Sequence, residues 1–169
     1  MSYPVGHFNC KLDAKGRLVF PSEFKEQLGN QVEEGFVLHP GLRVKCLELY
    51  TRQDWDNLQN KLREQLSQFK AQQEAVLRRY NAGARFAKLD GSGRLQIPKD
   101  LIEKGQLEKD IIITSVTTKM EIWDKSLYEE SIATALTDEE FFNILENIKS
   151  GRAQRCITIR LCWTSASGA

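Results

Sequence analysis

Apolar residues in this chain fall into short runs bounded by turn-forming residues. Two runs, 36–38 and 111–114, are almost wholly apolar, and each precedes a run in which apolar and charged residues alternate, 45–50 and 119–123. Runs of this length and pattern are typical of β-strands. The pattern therefore predicts a pair of strands in each half of the chain.

Two other stretches repeat their apolar residues at helical spacing. In 52–80 these residues recur mostly every three or four positions, and a weakly apolar interval at 67–73 predicts a break into two helices. Thr137 and Glu140 form a capping-box pattern ahead of a further helical stretch, 141–148. The chain is thus expected to combine short strands with helices, which is the α+β class.

One phrase of the pattern occurs twice. KLDAKGRLVFP, residues 11–21, returns as KLDGSGRLQIP, residues 88–98, at a constant offset of 77 positions and with seven identities. A repeat of this length indicates two copies of one structural unit. We place the units at 5–80 and 81–150. The remaining 151–169 form a tail without an assigned role, in which 156–163 predicts a strand.

Each copy of the phrase predicts a tight turn between two strands. An Asp stands at the first turn position, a Gly at the fourth, and a Pro follows five residues later. Asp accepts hydrogen bonds from the turn's own amides, Gly adopts the left-handed conformation that lets a hairpin resume, and Pro ends the returning strand. Ser22 is then predicted to cap a short helix, 23–28. The residues interpreted as structural are Asp13, Gly16, Pro21, Asp90, Gly93 and Pro98.

A half of this size buries little apolar surface by itself. If the hairpins of one half pair with those of the other, with strands swapped between the halves, a compact barrel closes within one chain. We therefore predict an α+β fold with a mainly β core, namely a double swapped-hairpin β-barrel formed by the two repeats.

The net charge of +1 gives no reason to expect a polyanionic partner. Basic residues are nonetheless concentrated in the repeat segments, 7–25 and 84–99, which together hold eight Lys and Arg against three Asp and Glu. Where charges lie decides what a surface attracts more than their sum does. The two repeats are therefore the candidates for binding nucleic acid.

Several classes of function find no support in the residues. The chain has two histidines, no Ser-His-Asp pattern, no metal-ligand spacing among its four cysteines and no phosphate-binding loop motif. No apolar run approaches the ~20 residues of a membrane span or forms a signal peptide. We expect no enzyme activity, small-molecule substrate, cofactor, metal or membrane partner, and a cytoplasmic location with reduced thiols.

An arginine follows each turn glycine. Arg17 and Arg94 are expected near the hairpin tips, Lys15 in the first turn, and Lys11 and Lys88 on the incoming strands. A two-stranded ribbon with such side chains fits the DNA major groove, where Arg contacts guanine and Lys mostly binds phosphate. The alternative is that each Arg only pairs with the turn Asp and stabilises the hairpin. Since the turn requires Asp and Gly but not Arg, its recurrence in both copies favours DNA contact.

The doubled D-x-x-G-R-x-x-x-P motif, residues 13–21 and 90–98, resembles that of the MraZ family of bacterial regulators, as do the LELY and MEIW strands. The resemblance covers about residues 5–148. It implies a swapped-hairpin fold of the AbrB type and a ring-shaped homo-oligomer. It also implies a nucleoid-associated regulator that binds short direct repeats of double-stranded DNA upstream of its own division and cell-wall operon, usually repressing it. The motif arginine, here Arg17 and Arg94, would contact the DNA.

The second copy departs from the first within the turn. Gly91 and Ser92 stand where the first copy has Ala14 and Lys15, so we expect the second copy to contact DNA less strongly.

A different function also stays open. The acidic stretch 138–148 suits a ring-shaped scaffold that recruits division or cell-wall proteins, with DNA binding incidental.

Overall fold

The structure is a computed structural model that describes residues 4–66 and 70–150. These residues form short strands and helices in an α+β arrangement. In chain order the elements are β1 (His7–Lys11), β2 (Arg17–Val19), α1 (Ser22–Leu28), α2 (Gln31–Glu34), β3 (Phe36–Pro40), β4 (Leu47–Thr51), α3 (Arg52–Gln65), α4 (Ala71–Ala82), β5 (Arg85–Ala87), β6 (Arg94–Gln96), α5 (Lys99–Gly105), β7 (Asp110–Val116), β8 (Lys119–Asp124), α6 (Lys125–Ala135) and α7 (Asp138–Lys149). The tail 151–169 and its predicted strand 156–163 lie outside the described residues.

The elements predicted from local patterns are present. The two predicted strand pairs are the antiparallel hairpins β3–β4 and β7–β8. The helical stretch 52–80 consists of two helices, as its weakly apolar interval predicted. The capping box of α7 is also confirmed, because Thr137 Oγ1 accepts from the Glu140 amide at 3.3 Å while the Glu140 carboxylate accepts from the Thr137 amide at 3.0 Å.

The prediction for the start of α1 was wrong by one residue. Ser22 is the first residue of the helix and Pro21 occupies the capping position, with φ of −55°. The Ser22 hydroxyl donates to the Glu23 carboxylate at 3.0 Å and caps no helix amide. Proline's fixed φ suits entry into a helix, so the backbone turns into α1 at Pro21 without a side-chain cap.

The two repeats exchange strands. A six-stranded antiparallel sheet has the order β1-β7-β8-β4-β3-β5, and a separate two-stranded ribbon is formed by β2 and β6. Thus β1 of the first repeat pairs with β7 of the second, while β5 of the second pairs with β3 of the first. Strands are therefore swapped between the halves, as predicted.

The hairpins of the repeated phrase are shorter than predicted. Flanking strands of each turn meet at one bridge, Leu12 with Leu18 in the first copy and Leu89 with Leu95 in the second. Beyond that bridge, β1 and β5 continue into the six-stranded sheet while β2 and β6 pair with each other. The strands diverge because each finds its ladder partner in the other repeat, which a local pattern does not reveal.

The main core lies between the ribbon and one face of the sheet. Leu18 of β2 and Leu95 of β6 lie opposite each other and are fully buried in it. Val37 and Tyr50 point to the other face of the sheet, where they pack against Trp55 of α3. The ribbon and α3 consequently lie on opposite faces of the sheet. Alternate sheet residues also contribute to the main core: Phe36, Leu38, Leu47, Leu49, Ile111, Ile113, Met120 and Ile122.

The chain divides into two compact units, one ending at Tyr128 and the other beginning at Glu129. The second unit contains α7, whose first turn is acidic and whose apolar side chains Phe141, Phe142, Ile144 and Ile148 are exposed. Within 4–66 and 70–150, no helix is both long enough and apolar enough to cross a membrane.

Candidate nucleic-acid interface

The first turn of the repeated phrase is held by one carboxylate. Asp13 Oδ1 accepts from the backbone N–H groups of Lys15 and Arg17, each at 2.9 Å. The Gly16 amide donates to the Asp13 carbonyl at 2.9 Å, and Gly16 has φ of 76°, in the left-handed region. These bonds are those of a tight turn closed by a glycine bulge, and they fix the backbone from which the Arg17 side chain extends.

The second turn repeats these bonds. Asp90 Oδ1 accepts from the amides of Ser92 at 2.9 Å and Arg94 at 3.0 Å. The Gly93 amide donates to the Asp90 carbonyl at 2.8 Å, and Gly93 has φ of 71°. The two copies of the phrase thus present their arginines from the same backbone geometry.

Each turn carboxylate also binds the arginine side chain. Arg17 Nε donates to Asp13 Oδ2 at 2.8 Å, and Arg17 Nη2 lies 2.7 Å from the same oxygen. Arg94 Nε donates to Asp90 Oδ2 at 2.8 Å. The Asp–Arg pairing considered above is therefore present. It leaves the arginine side chains 26% and 34% exposed, and a guanidinium has five N–H donors, so pairing does not exhaust them.

These contacts favour the ionised form of both carboxylates. The side-chain hydrogen bond from Arg17, followed by its backbone hydrogen bond, lowers the pKa of Asp13 to about 2. The pKa of Asp90 is also lowered, chiefly by the backbone hydrogen bond from Arg94. Hydrogen bonds to the charged form favour it. The two Asp–Arg pairs therefore persist at neutral pH.

Both arginines lie on one face of the ribbon. The middle residue of each strand, Leu18 or Leu95, is buried, so its neighbours point to the opposite side. Strand residues rise ~3.3 Å each and paired strands lie about 4.8 Å apart, which places the two arginine Cα atoms about 8 Å apart on the diagonal. We call this outward surface the ribbon face. Its residues are Arg17, Val19, Arg94 and Gln96.

The two turns lie at opposite ends of the ribbon. The Ile97 amide donates to the Gly16 carbonyl at 2.8 Å, and the Phe20 amide donates to the Gly93 carbonyl at 3.0 Å. Each turn is therefore joined by a backbone hydrogen bond to the strand that leaves the other turn. This arrangement holds the two arginines in a fixed relation across the repeats.

The predicted lysines occupy different places around this face. Lys15 is exposed in the first turn, next to Arg17 in the chain. Lys11 ends β1 and Lys88 follows β5, and these strands form the two opposite edges of the sheet. Both side chains are exposed. Lys15 thus lies at the end of the ribbon, whereas Lys11 and Lys88 lie at the two edges of the sheet.

Two further lysines near the first turn were not identified from the sequence as candidate DNA contacts. Lys99 at the start of α5 and Lys109 before β7 line an open groove of about 490 Å³ together with Lys15. Lys99 was counted in the basic segment, but nothing in the local pattern indicates that Lys109 faces the first turn. That proximity follows from the pairing of β1 with β7. In the described part of the chain, no cluster of His, Cys, Asp or Glu could hold a metal ion.

The fold and the doubled Asp–Gly–Arg turn define a tandem-repeat protein in which each half completes the strand pairing of the other. A family model described as "MraZ protein, putative antitoxin-like" matches residues 5–79 and again 81–150. The chain belongs to the MraZ family, with two MraZ repeats in tandem. The resemblance based on the doubled motif is thereby confirmed.

Curated relatives extend over most of the chain. "Transcriptional regulator MraZ" of Flavobacterium psychrophilum is 40% identical over 148 residues, which cover 88% of this chain and 92% of the relative. The protein of that name from Christiangramia forsetii is 37% identical over 144 residues, 85% of this chain and 91% of the relative. That of Acetivibrio thermocellus is 42% identical over 124 residues, 73% and 82% of the two chains. The family is one of transcriptional regulators and is non-enzymatic.

Proposed function

We propose that this chain is a sequence-specific DNA-binding transcriptional regulator that contacts double-stranded DNA through the ribbon face. The observation that carries the proposal is the placement of Arg17 and Arg94 on one exposed face of a two-stranded ribbon, each bound to a turn carboxylate. The names of the curated relatives support the regulatory role.

The dimensions and donors of the ribbon face suit a major groove. The groove is about 12 Å wide and admits a two-stranded ribbon, and the Arg17 and Arg94 Cα atoms are about 8 Å apart. Asp13 engages Nε and one N–H of Nη2 of Arg17. The outer fork, formed by Nη1 and the second N–H of Nη2, stays available for the O6 and N7 atoms of guanine. Because Asp13 already orients the guanidinium, less side-chain entropy is lost on binding.

Lysines supply the long-range attraction in this proposal. An Asp–Arg pair has no net charge, so the arginines act at short range. Lys15, Lys11 and Lys88 are exposed and would bind phosphates on either side of the groove. A near-neutral chain with basic residues at these points would bind unrelated DNA only weakly.

The proposal extends to the assembly and the operator. The repeats 5–80 and 81–150 would close as a double AbrB-like swapped-hairpin barrel, and copies would form a ring at the bacterial nucleoid. The ring would bind short direct repeats upstream of the chain's own division and cell-wall gene cluster and repress it. Several ribbons on one ring gain avidity, typically ~10²–10⁴-fold, when they engage spaced repeats together. The exposed apolar side chains of α7 support self-association.

The same helix favours a second candidate, a ring-shaped scaffold for other proteins. Its exposed Phe141 and Phe142 and its acidic first turn would serve a protein partner as well as a second copy. In that case the ribbon face would contribute little to function.

The direct test replaces each arginine separately. Arg17→Ala and Arg94→Ala should each weaken binding to the upstream DNA by about 5- to 150-fold, the loss expected for one bidentate guanine contact of about 1–3 kcal/mol. Fluorescence anisotropy with the labelled duplex measures this. Arg52→Ala is the matched control, because Arg52 also pairs with an Asp four residues away, at 3.2 Å, but begins α3 on the other face of the sheet.

Two further measurements make the result decisive. Thermal melting and circular dichroism establish that each variant is folded, since the substitution also removes a hydrogen bond from the turn. Arg17→Lys keeps the charge but not the fork, so it should bind like Arg17→Ala if Arg17 contacts a guanine. Unchanged affinity in a folded double variant, Arg17→Ala with Arg94→Ala, overturns the proposal.

A further inference from the structure

The two turns differ in the residue that covers them. A Cβ placed on Gly16 of the first turn would lie 2.9 Å from Cδ1 of Ile102, on helix α5. A Cβ placed on Gly93 of the second turn would lie 2.9 Å from Nζ of Lys25, on helix α1. Each turn is therefore covered by a helix of the other repeat, and the covering side chain is apolar at one turn and cationic at the other.

Lys25 and Ile102 occupy the same position of the repeat, 77 residues apart. The first turn contains its own lysine, Lys15, and lies beside the apolar Ile102. The second turn has Ser92 at the position of Lys15 and lies beside Lys25. The first turn thus carries a lysine of its own, whereas the lysine beside the second turn comes from the opposite repeat.

Within 4–66 and 70–150, the Lys25 ammonium forms neither a hydrogen bond nor an ion pair. The side chain is nevertheless half-buried. An ammonium without a protein counter-charge keeps its three N–H donors free to bind an anion such as a phosphate. Nζ can approach the second turn this closely because Gly93 has no Cβ, which would lie only 2.9 Å from it.

A groove leads from this position to the ribbon face. It has a volume of about 450 Å³, is open to solvent and is lined by Lys25, Lys11 and Val19 among others. Val19 lies opposite Arg94 on the ribbon face, so the groove borders the second arginine. Glu23 also lines it, with its carboxylate bonded to the Ser22 hydroxyl. Two lysines against one carboxylate leave the lining cationic.

We propose that Lys25 binds a DNA phosphate beside the second turn and there replaces the lysine that this turn lacks. The second contact site is then composite, with Arg94 from one repeat and Lys25 from the other. This inference rests on the proposed function, and it gives the second contact site a lysine that the second turn itself does not contain.

The test compares Lys25→Ala with Lys61→Ala in the full chain. Lys61 is an exposed lysine of α3, on the other face of the sheet. Lys61→Ala therefore removes the same charge at a position away from the ribbon. Anisotropy titrations against the upstream duplex are repeated over a range of salt concentrations. Lys25→Ala should lower affinity by roughly 3- to 10-fold and reduce the slope of log affinity against log salt by about 1, and Lys61→Ala should do neither.

A rescue variant separates phosphate binding from a structural role. Ser92→Lys in the Lys25→Ala background places a lysine in the second turn, where the first turn has Lys15. If Lys25 supplies charge, this second substitution should restore most of the lost affinity and the salt slope. If Lys25 only covers Gly93, affinity stays low, and the inference is overturned.

The outcomes also separate this inference from the proposed function. In one outcome, affinity depends on Arg94 but is the same for Lys25→Ala and Lys61→Ala. That result overturns the Lys25 inference and leaves the DNA-binding proposal intact. Wild-type protein that does not distinguish the upstream duplex from unrelated DNA overturns both.

Discussion

At the scale of single residues, one carboxylate performs two tasks in each repeat. Oδ1 of Asp13 holds the turn backbone, whereas Oδ2 holds the guanidinium of Arg17. The same division occurs at Asp90 and Arg94. The choice posed by the sequence, between an arginine that stabilises the turn and one that contacts DNA, is therefore not exclusive. Pairing orients the arginine side chain, and the N–H donors that pairing leaves unused can contact DNA, as we propose.

The division of tasks predicts a selective change in acidity. Arg17→Ala should raise the pKa of Asp13 from about 2 toward the ordinary 3.8, because the side-chain hydrogen bond from Arg17 is the largest cause of the shift. Asp90 should not change, since its own arginine remains. Carboxyl ¹³C chemical shifts followed against pH measure both. An Asp13 pKa that stays near 2 in the variant would show that Arg17 does not hold the carboxylate.

The sign of the pH dependence follows from the same shift. The pKa of Asp13 is lower in the folded chain than its ordinary value of 3.8. Its contribution to stability is therefore complete above about pH 4 and is lost as the pH falls through about 2. Urea unfolding of wild type should become easier over that interval, and less so for Arg17→Ala.

At the scale of elements, the ribbon is one of the places where strands of the two repeats pair with each other. Its strands have three residues each and one buried side chain each, Leu18 and Leu95, which face each other. The ribbon face keeps its orientation only if these two leucines pack in the main core. The positions of the two arginines thus depend on apolar contacts made on the other side of the same strands.

This dependence predicts the effect of truncating the pair. Leu18→Ala and Leu95→Ala should each lower the free energy of unfolding by about 2–5 kcal/mol, as for other fully buried leucines. The double variant should deviate from additivity by about 0.5–3 kcal/mol because the two side chains share one site. Val19→Ala, on the exposed face, should change stability by less than about 0.5 kcal/mol. Urea denaturation measures all four, and strict additivity would contradict a shared core.

Much of the local structure could be predicted from the sequence, and most long-range relations could not. The turns, the β3–β4 and β7–β8 hairpins and the α7 cap depend on neighbouring residues, so their patterns are visible. The start of α1 at Ser22 was missed because two capping solutions compete at adjacent positions. The place of Lys25 beside Gly93 was missed because 68 residues separate them and only strand exchange brings them together.

At the scale of the whole molecule, the proposal requires several ribbons to act together, because one ribbon face offers two arginines. The exposed apolar side of α7 is one surface available for assembly among the described residues. A surface of this kind on a soluble monomer would be unusual, since such patches commonly mark interaction sites.

Self-assembly through α7 predicts a change in mass. Phe142→Glu places a charge on the exposed apolar side and should reduce a multimeric wild type to smaller species in sedimentation velocity. Glu139→Gln, in the acidic first turn, serves as a control that leaves the apolar side intact. A monomeric wild type would contradict the ring, and with it both the proposed assembly and the ring-shaped scaffold.

The most direct test of the central claim is a fluorescence-anisotropy titration of the wild-type chain against its native upstream DNA and a scrambled duplex of the same composition, at two salt concentrations. A sequence-specific regulator should bind the native duplex alone tightly, and this binding should weaken as salt increases because lysine–phosphate contacts release counterions. Equal, weak binding to both duplexes would contradict a sequence-specific regulator.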